Sequence, residues 1–184
     1  MKALLINGSP REGGNTSELV KQFMNAACGK ADIEEVRIFG KDISGCNNCG
    51  TCQKTILREH CTISDDMSDL YPKFISSDLI IFASPIYMWQ FTPCTLAFIN
   101  RLHCLCWSSD LEYNEMAGKS MAVLITSSDA EDAADLAAAG LREFCGFFSI
   151  SYKGDLRIPF AGKSRISSGE YDGEIREFIG RVFR

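Results

Sequence analysis

The sequence predicts an α/β fold: a doubly wound sheet of five parallel strands, in the order 2-1-3-4-5, with helices on both faces. Three observations predict it. Apolar runs alternate with helical patterns along the chain. The runs Ala3-Leu4-Leu5-Ile6, "LIIFAS" (79–84) and "SMAVLIT" (120–126) are continuous rather than alternating, as in strands covered on both faces. The first run opens into a loop of small residues followed by a helix, and in such sheets ligands sit outside the carboxyl ends of the strands.

The elements follow in order. Residues 2–6 read as the first strand. Thr16–Cys28 reads as a helix, with Leu19, Val20, Phe23, Met24 and Ala27 forming its apolar stripe. Asn15 suits its N-cap, with Glu18 placed as in a capping box. Ile33–Phe39 reads as a more exposed second strand, interrupted by Glu34, Glu35 and Arg37. Met67–Ile75 predicts a helix and Leu79–Ser84 the third strand. Thr92-Pro93 reads as an N-cap with proline in the first turn of a helix running to about Cys104. Ser120–Thr126 predicts the fourth strand, Glu131–Phe144 a helix, Phe147–Tyr152 the fifth strand and Glu170–Val182 a closing helix. No repeat or linker divides the chain, so a single domain spanning 1–184 is expected, with a Cys-rich insertion loop at about 40–66. Gly40–Cys61 and Gly154–Gly169 are the irregular stretches, and long loops in compact domains are often functional.

Composition narrows the class. A chain of 184 residues that is 46% hydrophobic and 23% charged suits one globular core. A net charge of -5 argues against a nucleic-acid footprint. No apolar stretch reaches membrane-spanning length, since the longest, around Leu79–Trp89, is broken by Ser84 and Pro85. The N-terminus has too few apolar residues for a signal peptide, so a cytoplasmic location is expected. With no secretion signal, the nine cysteines point to metal or redox chemistry before a disulfide framework.

Two loops suggest a mononucleotide site. "NGSPREGGNTSEL" (7–19) leaves the first strand and enters the N-terminus of the first helix, where unpaired N–H groups and the helix dipole favour an anion. Gly8, Gly13 and Gly14 let its backbone amides curve round a phosphate. Ser9, Asn15, Thr16 and Ser17 add side-chain donors, and Arg11 adds charge. The loop is neither a Walker loop nor a G-x-G-x-x-G fingerprint, and by itself it also reads as an ordinary capped turn. "SPIYMWQFTP" (84–93) leaves the third strand at the same edge. Its tip, Ile86, Tyr87, Met88 and Trp89, is apolar where loops are usually polar. That suits a flat aromatic ligand; packing into the core or a dimer interface is the alternative.

These segments, "GSPREGGNTSEL" and "DLIIFASPIYMWQFTPCTLAFINR", with the cysteines between them, resemble the NADPH-dependent FMN reductase family, in particular its iron–sulfur flavoprotein branch, over roughly residues 1–130. The resemblance implies a flavodoxin-like fold, bound FMN, NAD(P)H as co-substrate, and a homodimer or homotetramer whose partner subunit helps cover the flavin. It implies that Ser9, Arg11, Asn15, Thr16 and Ser17 hold the FMN phosphate and that Pro85, Ile86, Tyr87, Met88 and Trp89 line the isoalloxazine ring. The loop Thr126-Ser127-Ser128-Asp129 would touch the ring or ribityl chain, although relatives often have glycine there and this chain has none.

"GCNNCGTCQKTILREHC" places Cys46, Cys49, Cys52 and Cys61 in a C-x2-C-x2-C-x8-C pattern. Three thiols at this spacing with a distant fourth resemble a [4Fe–4S] ligand run. Zinc sites more often use two separate pairs. The branch has the same compact arrangement with a shorter gap before its fourth cysteine, and relatives with such cysteines can also lack a cluster. His60 reads as a solvated loop residue. Cys28, Cys94 and Cys145 read as small core hydrophobes. His103, Cys104 and Cys106 in "LHCLCW" read as a helix end packed into the core or an interface, with Trp107 beside a ligand or partner.

The expected function is an FMN-dependent NAD(P)H oxidoreductase. Hydride would pass from nicotinamide C4 to flavin N5 and on to a small acceptor: a quinone, a flavin, an azo compound or a metal ion. No side chain is expected to act as acid or base, and Tyr87 and Trp89 are the residues expected to flank the ring. One alternative is an electron carrier with FMN and [4Fe–4S] that serves a redox protein. The other is a non-enzymatic zinc-binding α/β module.

Overall fold

Five parallel strands, β1 (Lys2–Asn7), β2 (Asp32–Arg37), β3 (Leu79–Pro85), β4 (Ser120–Ser127) and β5 (Ser151–Pro159), form one sheet in the order β2-β1-β3-β4-β5. The computed structural model describes residues 1–55, 60–106, 113–160, 165–167 and 169–184. Its α-helices are α1 (Asn15–Ala26), α2 (Met67–Ile75), α3 (Pro93–Arg101), α4 (Asp135–Phe147) and α5 (Asp172–Val182).

The continuous apolar runs are explained by two cores, one on each face of the sheet. Successive strand residues point to opposite faces. Leu4 and Ile6 of β1, Ile80 and Phe82 of β3, and Met121, Val123 and Ile125 of β4 pack beneath α2, α3 and α4. Ala3 and Leu5, Leu79, Ile81 and Ala83, and Ala122 and Leu124 pack beneath α1 and α5. Between the two cores, each of the three central strands is therefore a continuous apolar run: Ala3–Ile6, Leu79–Ala83 and Met121–Ile125.

The fifth strand lies later than its apolar run suggests. Phe147 ends α4, and Ser149, at φ 58°, turns the chain. Phe148 packs edge-on to Phe147 at 4.8 Å, and Phe148 and Ile150 cap the core below α4. β5 itself reads "SYKGDLRIP", a polar pattern suited to an edge strand. Its register against β4 shifts between Met121 and Val123, opposite Gly154 at φ 104°. The stretch expected to be irregular from Gly154 is thus strand up to Pro159.

The capping box at α1 is absent. Gly14 occupies the N-cap, Asn15 Oδ1 accepts the Ile166 N–H at 3.0 Å, and Glu18 accepts from the Gln22 amide. At α3 the sequence reading holds: Thr92 is the N-cap and Pro93 follows in the first turn. The chain then tightens into a 3-10 turn at Leu102–Leu105. Cys28 is exposed rather than in the core, whereas Cys145 is buried.

Gly8 joins β1 to α3. A Cβ there would lie 2.0 Å from Thr95 Oγ1 and 3.0 Å from Thr92 Oγ1. Both are buried, and the Thr92 hydroxyl donates to the Gly8 carbonyl at 2.9 Å. Gly8→Ala is therefore expected to cost about 1–3 kcal/mol by overpacking. A lowered urea midpoint at unchanged slope would report it; an unchanged midpoint would mean that α3 can move aside freely.

Candidate functional site

The β1–α1 loop is drawn tight around one carbonyl. Arg11 O accepts from Ser9 Oγ at 3.2 Å, Ser17 Oγ at 2.9 Å and the Gly14 N–H at 3.3 Å. The Ser9 N–H is fixed by Asn7 Oδ1 at 3.0 Å. Glu18 makes the first α1 backbone bond, to Gly14 O, so the N–H groups of Asn15, Thr16 and Ser17 meet no acceptor among the described residues. They and the positive end of the helix dipole form an anion-binding terminus.

Arg11 is exposed at the rim of this terminus. Two further cations stand near it. Arg37, at the end of β2, donates to Ser17 Oγ at 3.2 Å and to Ser9 O at 3.3 Å. Arg165 lines one cleft with Arg11, Gly13, Gly14 and Asn15. Sequence reasoning passed over both. Arg37 looked like a solvated interruption of an exposed strand, and Arg165 lies 150 residues from the loop that it faces. The glycines of the loop stay out of the left-handed region, so close approach, not unusual φ, is what Gly8 provides.

The loop after β3 forms a tight turn in which Tyr87 and Gln90 exchange backbone bonds of 2.8 and 3.0 Å. Met88 and Trp89 at its tip adopt φ 49° and 61°, the left-handed region that bulky residues rarely occupy. Strain of this kind collects at binding sites. Met88 is 82% and Trp89 56% exposed, so the tip does not pack into this chain's core. Ile86, Met88 and Trp89 face Ser127, Ser128 and Asp129 across a cleft.

Thr126 binds these parts together. Its carbonyl accepts the Ile86 N–H at 2.9 Å, and its hydroxyl pairs with that of Thr16 at 2.7 Å. The loops after β1, β3 and β4 therefore meet at one sheet edge. The Thr16 N–H meets no acceptor among the described residues, and its hydroxyl is shared with Thr126. Pro85 ends β3 beside Thr126 in the register. Ser127 is buried, its hydroxyl donating to Asp129 O.

Cys46, Cys49, Cys52 and Cys61 ring a second cavity, together with Arg101, His103 and Cys104. Backbone N–H groups reach two of the sulfurs, Asn48 to Cys46 at 3.4 Å and Ile63 to Cys61 at 3.5 Å. A hydrogen bond with Thr62, helped by Thr51, lowers the Cys49 thiol to about 7. Asn48, Gly50 and His60 all have positive φ. Among the described residues, no three His, Cys, Asp or Glu side chains converge on a single-ion site. A single zinc ion needs such convergence; a cubane cluster, several ångströms across, needs thiols spaced around a cavity. Four thiols around one cavity match the ligand count of a [4Fe–4S] cluster.

Cys104 and Cys106 are buried, and burial pushes their thiols up to about 12 and about 11. His60 is not solvated: it is half-buried and its ring tilts against Tyr71 at 5.4 Å. Trp107 lies outside the described residues.

A doubly wound sheet with an anion-binding first loop and an exposed aromatic turn at its carboxyl edge defines a flavodoxin-like protein. The model of the NADPH-dependent FMN reductase family matches residues 1–153, and the chain belongs to that family, whose cofactor is FMN. An iron–sulfur flavoprotein from Archaeoglobus fulgidus is 37% identical over 106 residues, covering 55% of this chain and 46% of that protein. The match thus spans about half the length of this relative and of an iron–sulfur flavoprotein from Methanosarcina thermophila. An iron–sulfur flavoprotein of Methanocaldococcus jannaschii is 27% identical, covering 100% of this chain and 96% of its own length. Among solved structures, an FMN-dependent NADH-azoreductase from Bacillus anthracis in complex with FMN has a TM-score of 0.72 at 14% identity, with 100% of both chains covered. No helix among the described residues is long and apolar enough to cross a membrane.

Proposed function

We propose that this chain is an FMN-dependent NAD(P)H oxidoreductase that passes electrons from the nicotinamide to a small acceptor: a quinone, a flavin, an azo compound or a metal ion. The carrying observation is the meeting of three loops at Thr126. The α1 N-terminus holds the phosphate through the N–H groups of Asn15, Thr16 and Ser17, with Ser9 and Arg11 beside it and Arg37 bracing the loop. Pro85–Trp89 and Thr126-Ser127 hold the ring; Tyr87 and Trp89 flank the face where nicotinamide or acceptor stacks. FMN supplies the hydride chemistry when bound. The side chains orient it and exclude water, and none is required as a proton donor. A homodimer or homotetramer, with a partner subunit over the exposed Met88 and Trp89, and a cytoplasmic location belong to the same reading.

The cysteine cavity supports a further component. Cys46, Cys49, Cys52 and Cys61 would hold a [4Fe–4S] cluster, and α3 joins the two sites. Its N-cap Thr92 follows the ring loop, and Arg101 at its other end lines the cavity, about 13 Å along the helix axis. Electron transfer onward to a redox protein is then the second reading. The zinc module loses ground to a reductase family.

Flavin-free protein titrated with FMN and with riboflavin tests the phosphate assignment. FMN should bind at least tenfold tighter. Arg11→Ala should weaken FMN by about 1–3 kcal/mol, the range of a lost charge-assisted bond, and leave riboflavin unchanged. Equal affinities would remove the assignment. Anaerobic addition of NADH or NADPH should bleach the flavin spectrum; iron and sulfide analysis decides between the two readings.

A further inference from the structure

We infer that Arg101 is a positioning residue for the cluster in the cysteine cavity: its Nε–H donates to a sulfur there, and its buried charge favours the reduced cluster. This rests on the cluster reading above.

Arg101 is 2% exposed, an unusual place for a guanidinium. Its two terminal nitrogens are satisfied: Nη1 donates to Asp65 and to Ser44 O at 2.9 Å, Nη2 to Asp65 and to Ile63 O at 3.3 Å. Nε is buried and has no acceptor among the described residues. Buried donors are rarely left unpaired, because desolvation is then uncompensated. A buried pair kept only for stability could be replaced by apolar side chains at little loss. The orphan donor therefore asks for a partner that the described protein atoms do not provide.

Its place identifies the chemistry. Arg101 lines the cavity ringed by Cys46, Cys49, Cys52 and Cys61; Asp65 is not among the lining residues. The cation fronts the thiols and the carboxylate backs it. Burial opposes the Arg101 charge, but Asp65, with Tyr71 and Cys61, outweighs it and holds the guanidinium above its ordinary value. Arg101 thus stays charged whatever occupies the cavity. Four thiolates leave a four-iron cluster net negative, and one-electron reduction adds another negative charge. A fixed cation and an N–H···S bond both favour that reduced form, as hydrogen bonds and charge do for clusters in general. The same guanidinium bonds the carbonyls of Ser44 and Ile63, each two residues from a cysteine of the cavity.

The test uses the whole protein, purified without oxygen. Iron, sulfide, melting temperature and the cluster potential by spectroscopic titration are measured for the wild type, Arg101→Lys, and the double variant Arg101→Met with Asp65→Leu. Lysine keeps the charge and can pair with Asp65 but lacks Nε; the apolar pair keeps the volume filled should lysine fail to fold. The expected result is a folded variant with wild-type iron and sulfide whose reduction equilibrium moves at least tenfold toward the oxidised form, about 59 mV for a one-electron couple. The double variant should move further. A full cluster at unchanged potential overturns the inference and spares the cluster. A folded Arg101→Lys that loses its iron also overturns it, leaving Arg101 as scaffold. Wild-type protein without iron removes the cluster reading itself.

Discussion

Asp65→Ala is expected to destabilise the protein by about 3–5 kcal/mol, the cost of stranding a buried charge. The carboxylate and the Arg101 guanidinium are 2% and 1% exposed and lie 2.5 Å apart. Asp65 also accepts the N–H of Ser44 at 3.0 Å and of Met67 at 3.1 Å, so it anchors both the cysteine loop and the first turn of α2. Removing it leaves Arg101 charged in a medium that penalises charge, with two backbone donors unpaired. Asp65→Leu combined with Arg101→Met should recover much of the loss, because neither charge then remains. A double-mutant cycle in urea measures the coupling. A small loss in Asp65→Ala alone would mean that water reaches Arg101.

The same pair sets an acid limit. Burial works against the Asp65 charge, yet Arg101 and the two N–H donors hold the carboxyl below its ordinary value of 3.8. A group lowered in the folded state contributes stability fully above its unfolded value and loses it as pH falls through the lowered value. Wild-type stability should therefore hold down to about pH 4 and decline below it. In the double apolar variant this component of the decline should be missing.

Legibility differed by element for physical reasons. β1, β3 and β4 were plain because the part of a strand between two cores is a continuous apolar run, and few other structures demand that. β5 was not, because an edge strand keeps Lys153, Asp155 and Arg157, while the nearby apolar run Phe147–Ile150 caps a helix end. The first and third loops were readable because glycine, proline and hydroxyl residues carry local backbone chemistry. Local pattern could not show that the Thr16 hydroxyl would pair with that of Thr126, 110 residues away. Nor could it show that Arg101, which looked like a helix-ending cation, would be buried against Asp65, 36 residues before it. The four cysteines were legible as a set from spacing alone. Their gathering around one cavity needed coordinates.

Ser17→Asp should move stability and FMN affinity in opposite directions. Ser17 lies in the first turn of α1, half-exposed, its hydroxyl held by Arg37 and Arg11 O. A carboxylate there meets the positive helix end and Arg37, which should stabilise the flavin-free protein by about 0.3–1 kcal/mol. It also stands where the phosphate is proposed to sit. At the effective dielectric of a protein surface, two unit charges 4 Å apart interact by about 4 kcal/mol, and the FMN phosphate carries close to two. Allowing for screening, FMN should bind at least 100-fold more weakly, about 2.7 kcal/mol, while riboflavin is unaffected. Ser17→Asn, of the same shape without the charge, should keep most of the FMN affinity. If Ser17→Asp binds FMN as the wild type does, the phosphate lies elsewhere and the α1 terminus is only a capped turn. If both variants lose FMN and riboflavin alike, the substitution has deformed the loop, and the melting temperature will have fallen instead of risen.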